Sequence, residues 1–469
     1  MGPMRKTDGI GLFLWLMCVL PAFTVPVIAQ VDGNNVGEKA YVNPGNMFYD
    51  VKRLPNSGAI LTDQMDRYLA ERGWELGVSS ANPGNAYIGW KTARIRLKYD
   101  DAKYGQARIM AFHRAFTDTK GEFVLSRRVD IVTQIYRKFV NNDLPEDIPQ
   151  APDRRFAYIR ERLDVALEKG MDLGEAKLDE LLREVGIDPA NYRKVDREKR
   201  RNIFNDAVER AATARARSSV TGLHIVTTFE DLDSVGVLVT RSEESEQIAR
   251  QVVRGGAMSR RPSNVVKNSI QHVLAKALPN DADYIGVHGV RIMQDEAGEY
   301  VLVAFGQWAP SITKTMSTLL VEGRVDAARE VARAEAEAAV TDFVNSTVVF
   351  DRAVTTKESA DVTDVTPQGG EVAEVTSEEM GARVEKFIQQ HGEARLEGLT
   401  TIKTWTANNP RTGHVLVGHV LMWSPATRDA AQGKFLKQEE GKPAEKVKYD
   451  NTVIEAPALD HLDPTLRRE

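Results

Sequence analysis

Tyr300-Val-Leu-Val-Ala-Phe-Gly-Gln-Trp308, continuing into Ala309-Pro-Ser311, has a counterpart in His414-Val-Leu-Val417 and Trp423-Ser-Pro-Ala426. Apolar side chains at alternate positions, Val301, Val303 and Phe305, are the pattern of a strand with one face in a core. The proline after each tryptophan has no N–H to donate, so the ladder stops there. A third Val-Leu-Val begins at Val237, and Gly222, Gly286 and Gly398 stand at comparable distances upstream of the three strings. Duplication on this scale is a statement about architecture: one small unit has been copied along the chain.

Outward from these strings, the order helix, glycine, strand, loop, strand recurs in four places. Helices are expected at about 60–72, 199–217, 263–277 and 377–391, and hairpins at about 73–98, 222–240, 285–308 and 398–423. In the first unit Ile60-Leu61, Met65 and Tyr68-Leu69 form the helix stripe, Gly73 ends it, and Asn82-Pro-Gly84 turns the hairpin. Further helices should follow the first three hairpins, starting near 101, 242 and 311. The first of these, about 101–124, ends in Phe123-Val-Leu-Ser126, much as a later helix ends in Phe343-Val-Asn-Ser346. One carries Phe112 and Phe116 where the other has Ala332 and Ala336, and small residues there let a helix lie close against a sheet. The expected fold class is α+β: repeated helix plus β-hairpin units, antiparallel sheets covered by helices, with a helical insertion.

The expected organisation is a signal peptide at 1–29, an N-terminal α+β unit at 57–150, a charged helical insertion at 151–198, tandem α+β units at 199–350, an acidic linker at 351–379, a C-terminal α+β unit at 380–432 and a disordered tail at 433–469. The insertion has Leu163, Val165, Leu167, Leu178, Leu181, Leu182 and Val185 on its apolar side and is interrupted by Gly186-Ile-Asp-Pro189. The linker gathers Thr, Val and acidic residues around Pro367-Gln-Gly-Gly370. Within the tail, Val453-Ile454 is suited to dock as an edge strand.

Arg5 and Lys6 precede an apolar run from Ile10 to Val25 broken by Gly11, Pro21 and Thr24, and Val27-Ile-Ala29 offers small or modest side chains where a signal peptidase reads. That pattern predicts a cleaved leader, Gln30 as the first mature residue, and a periplasmic or secreted bacterial protein. The run is too short and proline-broken to anchor in a bilayer. The single cysteine, Cys18, falls inside it, so the mature chain has no disulfide, thiolate nucleophile or cysteine metal site. Charged residues make up 28% of the chain and hydrophobic ones 42%, a globular profile. Removing Arg5, Lys6 and Asp8 with the leader takes the formal charge of −5 to −6. A mildly acidic chain exerts no long-range pull on nucleic acid or anionic lipid. The basic run from Arg193 to Arg201 is interrupted by Asp196 and Glu198, contains no aromatic residue, and reads as a solvated helix face.

Residues that carry chemistry form no recognisable constellation. The histidines include no i, i+4 helical pair, and His414 and His419 fall on opposite faces of a strand. Asp231 with Asp233, Asp281 with Asp283, and Asp295-Glu296 sit in or beside turns, where Asp serves the backbone; calcium would need roughly six to eight oxygens. Glu243-Glu244 and Glu246 open a helix, where they meet the positive end of its dipole. No nucleophile elbow, zinc-protease helix or phosphate-binding glycine loop occurs. No catalytic residue, metal or cofactor is therefore expected. Trp308 and Trp423 carry two readings: plugs at the ends of helix–sheet cores, or stacking platforms for a ligand in a groove.

The alanine-rich helix Ala327-Ala-Arg-Glu-Val-Ala-Arg-Ala-Glu-Ala-Glu-Ala-Ala-Val-Thr-Asp-Phe-Val344, its Ser346 exit, its counterpart at 107–126 and the hairpin order resemble the lipoprotein-20 type and flagellar-assembly-protein-T type of envelope modules. The resemblance implies a small α+β fold and a structural, non-catalytic role in envelope or flagellar-ring assemblies. The chain lacks a lipidation cysteine, and an uncharacterised family of secreted bacterial proteins accounts for the same residues. The expected function is a non-enzymatic periplasmic or secreted structural or assembly protein of the bacterial cell envelope. Its expected partners are further copies of itself or other envelope proteins, with no nucleic acid and no stable transmembrane segment after leader cleavage. The alternative is a periplasmic glycan- or peptide-binding module with a tryptophan-lined groove; an enzyme whose site is assembled from distant residues is the third class. The address is testable directly: a fusion carrying residues 1–32 should deliver a reporter to the periplasm and lose the leader at or near Ala29, as read by fractionation and N-terminal sequencing. Unprocessed reporter in the cytosol would remove the envelope assignment.

Overall fold

The computed structural model describes residues 57–140, 149, 151–168, 175–254, 269–296, 298–313, 315–344, 397–431, 454–455 and 459–466. In its first half, α1 (Ser57–Arg72) precedes the hairpin of β1 (Gly77–Val78) and β2 (Tyr87–Arg94), and α2 (Tyr104–Val140) follows it. The helices α3 (Pro152–Glu168), α4 (Glu175–Glu184) and α5 (Pro189–Lys194) lead to α6 (Arg197–Ser218), the hairpin of β3 (His224–Glu230) and β4 (Ser234–Arg241), and α7 (Glu243–Arg254). The second half repeats the order with α8 (Ile270–Ala277), β5 (Gly289–Gln294), β6 (Tyr300–Trp308), α9 (Thr318–Val344), β7 (Thr400–Asn408), β8 (Val415–Trp423) and α10 (Pro425–Ala431); β9 (Ile454–Glu455) comes last.

The chain is α+β, and its hairpins are joined in pairs. Each half links its two hairpins through their second strands, in the orders β1-β2-β4-β3-β9 and β5-β6-β8-β7, antiparallel at every pairing. In the β6–β8 pair Trp308 stands opposite Val417, Phe305 opposite Val420, and Leu302 opposite Trp423. Exchanging the two strands returns the same set of pairs. The duplicated motifs are thus related by a local two-fold centred on Phe305 and Val420, and each tryptophan lies across from the other copy's Val-Leu-Val string.

The glycine joints have a steric cause. Gly222 and Gly398 have φ of 83° and 94°, the left-handed region where a side chain is strained. A Cβ on Gly222 would lie 2.5 Å from Glu246 N, and one on Gly398 would lie 2.4 Å from Arg428 Cα, both in the first turn of the helix after the hairpin. Those turns are capped alike: Ser242 and Ser245 exchange hydroxyl-to-backbone bonds, as do Ser424 and Thr427. The long helices lie over the central strands, α2 on β2 and β4, α9 on β6 and β8. Gly306 of β6 lets α9 approach closely, since a Cβ there would lie 2.1 Å from Ala332 O.

Several boundaries differ from expectation. α2 runs on to Val140 rather than ending near 124, because Val129, Val132, Ile135 and Tyr136 bury against a core shared with Phe156, Ile159 and Leu163 of α3 and Phe204 of α6. α9 starts at Thr318 rather than near 311; Ala309 and Ile312 are buried outside the helix, beside a proline with no N–H. Only Gly77–Val78 of the expected first strand is paired. In the insertion Leu163, Leu181, Leu182 and Val185 are buried whereas Val165 faces out. Its interruption is real: Gly186 has φ of 81°, and Asp188 Oδ1 accepts from Ala190 N at 3.0 Å to start α5. The expected signal peptide at 1–29, the expected linker at 351–379, the expected helix at 377–391 and residues 263–268 of another expected helix lie outside the described residues.

The expectation of an unfolded tail at 433–469 fails at its end. Ile454–Glu455 pairs antiparallel with Phe229–Glu230 of β3, and Leu459, Asp463 and Leu466 are buried. Leu466 enters the core of Leu61, Met65 and Tyr68, so apolar burial and ladder bonds offset the cost of ordering this segment. Among the described residues no helix is long and apolar enough to cross a membrane.

Trp308 and Trp423 are 2% and 1% exposed, in the cores beneath opposite ends of the β6–β8 pair. Trp423 Nε1 donates to Glu397 O at 3.1 Å. Trp308→Ala and Trp423→Ala should each lower stability by about 3–5 kcal/mol in chemical denaturation; a loss within about 0.5 kcal/mol, the usual surface value, would contradict their placement.

Candidate functional site

The two halves meet along a buried polar seam. Arg108 of α2 donates through Nε and Nη2 to both oxygens of Glu230 of β3, at 2.5 and 2.6 Å, and through Nη1 to Gln307 Oε1 of β6 at 3.1 Å. Gln307 Nε2 donates onward to Val287 O at 3.1 Å. Tyr104 Oη donates to Leu232 O, and Gln106 Nε2 to Ala309 O, each at 3.1 Å. His414 Nε2 lies 2.8 Å from Asp101 O, with its other ring nitrogen 2.8 Å from Thr412 Oγ1. Glu230 and Arg108 are buried, and the bidentate pair, with its further bond to Gln307, ties α2 to both sheets.

Beside it, α2 and α9 enclose a small cavity against the start of β5 and Phe305 of β6. Its volume of about 30 Å³ suits a very few water molecules. Phe112 and Phe116 wall it where α9 has alanines. The His288 ring stacks on Phe112, 3.8 Å between centroids at 12°. Burial, and then the nearby charges of Arg108, His113 and Arg291, hold His288 well below the usual imidazole range, so it is neutral at pH 7. His113 Nε2 lies 2.7 Å from Glu335 Oε2. Lys120 Nζ sits 3.1 Å from Asp342 Oδ2 and 3.9 Å from the Phe116 ring centroid, while Asp342 Oδ1 is buried without a hydrogen-bond partner. The cavity thus gathers a neutral imidazole, a histidine–carboxylate pair and an ammonium–carboxylate pair. Such a set can hold and exchange protons with ordered water. Among the described residues no group of three or more His, Cys, Asp or Glu could hold a metal.

Sequence reading did not find this cluster. Its members come from α2, from the turn before β5 and from α9, and no local spacing joins them; the only hint is the alignment of the two long helices, which matches Phe112 and Phe116 to Ala332 and Ala336. Trp308 and Trp423 do not line the cavity, and with their indoles buried neither offers a face to a ligand. The turn carboxylates serve the backbone or a neighbour: Asp231 Oδ1 accepts from Asp233 N and Ser234 N at 2.8 Å, Asp283 Oδ2 from Asn280 N at 2.7 Å, and Asp281 pairs with Lys403 at 2.8 Å. In the basic run, Arg193 pairs with Asp179, and Arg201 lies 2.5 Å from the buried Asp164. These arginines bind the insertion together.

A third polar cluster holds the end of the chain. His224 Nε2 of β3 lies 2.8 Å from Asp463 Oδ2, its Nδ1 2.9 Å from Gly222 O, and both side chains are buried. Arg72 Nε of α1 donates to Asp460 Oδ2 at 2.7 Å. Arg291 of β5, buried beside them, is lowered to about 10 by burial, an effect that Asp463, Tyr68 and Asp460 oppose.

Residues 163–254, from within α3 through α7, match a domain of unknown function, DUF6844. The match crosses from the helical insertion into the second hairpin, so that stretch is similar to an uncharacterised family; it is not a match to the envelope-module types that α9 resembles. No curated protein matches the chain. The crystal structure of hypothetical protein FTT1539c from Francisella tularensis is similar with a TM-score of 0.43 and 16% identity, over 80% of this chain and 94% of that one.

The histidines predict the pH dependence. His288, His414 and His419 all sit below the ordinary value of 6.5, with burial the first cause in each. Below pH 6.5 the unfolded chain takes up protons that the folded one resists, so their stabilisation is complete above 6.5 and is lost as the pH falls toward the folded values. The limiting slope is about 1.4 kcal/mol per pH unit for each histidine. Melting temperatures between pH 7.5 and 5.0 should fall, and His288→Leu should flatten the slope; an unchanged slope would place the proton uptake elsewhere.

Proposed function

We propose that this chain is a non-enzymatic structural or assembly protein of the bacterial cell envelope, exported by its leader and acting through protein contacts. The observation that carries this reading is the use of its polar groups. The buried Arg108–Glu230–Gln307 chain, the His224–Asp463 pair and the ion pairs of the insertion each fasten one element to another. The leader pattern and the resemblance of α9 and α2 to envelope and flagellar-ring modules support the same role, as does a duplicated architecture of the kind that repeat scaffolds use. Size-exclusion chromatography with light scattering on the mature chain should give a mass of two or more whole chains. A single-chain mass at every concentration would overturn self-assembly and leave only a role within a mixed assembly, to be read by cross-linking in the envelope fraction.

A further inference from the structure

The end of the chain sits in a built groove where the two sheets meet. β3 forms one wall and β5 the other, with Thr228 Oγ1 donating to Gly286 O at 2.5 Å between them and α1 above. Four kinds of contact hold Ile454–Glu455 and residues 459–466. Ile454–Glu455 extends the sheet at Glu230 and Phe229. Asp460 meets Arg72, and Asp463 meets His224 while its Oδ1 accepts from Thr465 N and Thr465 Oγ1 at 2.9 and 2.7 Å. Leu459 and Leu466 enter two different cores. A strand added to a sheet edge, with acidic anchors on basic side chains and apolar side chains in pockets, is how folded domains take up extended peptides.

We infer that this groove is a receptor for the C-terminal segment of this protein, and that the tail of a second copy fills it when chains assemble. The inference deepens the assembly reading and rests on it. The groove's basic side chains, Arg72, His224 and Arg291, match the acids at 460 and 463, and among the described residues these contacts fall within one short segment. Residues 432–453 separate that segment from α10; a stretch of 22 residues can span at most about 70–80 Å when extended, enough to reach a neighbouring molecule. Two chains that exchange tails form the same contacts twice, so reciprocal exchange loses no clasp interaction relative to the closed chain.

The test uses full-length mature variants. Asp463→Ala weakens the tail and leaves the groove intact; His224→Ala weakens the groove and leaves the tail intact. A fluorescent peptide of residues 454–466 should bind the Asp463→Ala chain at least about tenfold more tightly than the wild type, whose groove is filled, and the same peptide with Asp463→Asn should bind about tenfold more weakly. Mixing the two variants should give a mixed dimer by light scattering that neither gives alone. Leu466→Ser replaces Asp463→Ala if circular dichroism shows the latter misfolded, and His224→Gln replaces His224→Ala. Absence of peptide binding to a folded tail variant overturns the receptor. Peptide binding without mixed dimers overturns exchange and leaves a clasp that closes only on its own chain. If the wild type is oligomeric while the mixture forms no new species, exchange is wrong and assembly uses another surface; if the wild type is a single chain yet the mixture dimerises, self-assembly of the native chain is wrong and the groove stands.

Discussion

A helix over a single hairpin cannot complete a core, and this limit shapes the whole molecule. Two strands leave two open edges and too little apolar face to offset the entropy of ordering them. Joining hairpins through β2–β4 and β6–β8 places the copied apolar strings in the middle of each sheet, buried on both faces. Tyr300 through Trp308 is buried at every position, which is why the string is apolar almost throughout rather than alternating cleanly. The long helix after the first hairpin of each half then covers the joint. α9 does so closely because Gly306 admits the Ala332 turn, and α2 does so at Gly89, where a Cβ would lie 2.8 Å from Thr119 Cγ2; Phe112 and Phe116 of α2 instead line the cavity shared with α9.

Once two halves exist they must be held in one register, and an apolar interface alone is tolerant of sliding. The Arg108–Glu230 pair is not tolerant: its bidentate geometry, extended through Gln307 to Val287 O, is satisfied in one arrangement only. Charge burial of this kind contributes little net stability, since desolvation offsets much of the attraction, while loss of one partner strands the other. Its physical role here is to define which arrangement of the halves is allowed. The cavity next to it inherits that precision, because Arg108 is also one of the positive charges that keep His288 neutral.

What the sequence made legible is what had been copied. The Val-Leu-Val strings, the joint glycines and the proline stops located the hairpins because period-two alternation and left-handed glycines act locally. Gly186-Ile-Asp-Pro189 broke the insertion where it reads as a break, for the same reason. Pairing between hairpins was not legible: β2–β4 and β6–β8 depend on contacts distant in sequence, and either strand of a hairpin could have offered its edge. The extension of α2 to Val140 was hidden because Ser126 and the β-branched residues after it weaken local helix propensity, which packing against α3 and α6 overrides. His113, His288, Glu335 and Asp342 look like unrelated surface or core residues until two helices and a turn are brought together. The indoles were legible as a motif; that both are buried was not, because burial depends on the pairing of β6 with β8 and the packing of α9 over them.

The two halves share a plan but treat their outer strands differently, and the difference locates where specialisation has entered. β3 and β7 are equivalent outer strands of second hairpins. β7 keeps a largely exposed face, with Lys403 and Thr406 engaged by Asp281 from the turn before β5, and charge on an edge discourages further strand pairing. β3 is buried along its whole length, and the end of the chain supplies its neighbour. A duplicated fold would need only one solution to its open edges. Here one copy is blunted by a local carboxylate and the other is closed by a segment that arrives from the far end of the chain, carrying its own acidic anchors. The strand that needs an external partner, rather than the one that avoids it, sits at the junction of the halves, so whatever occupies that groove ties the first sheet, the second sheet and α1 together at once.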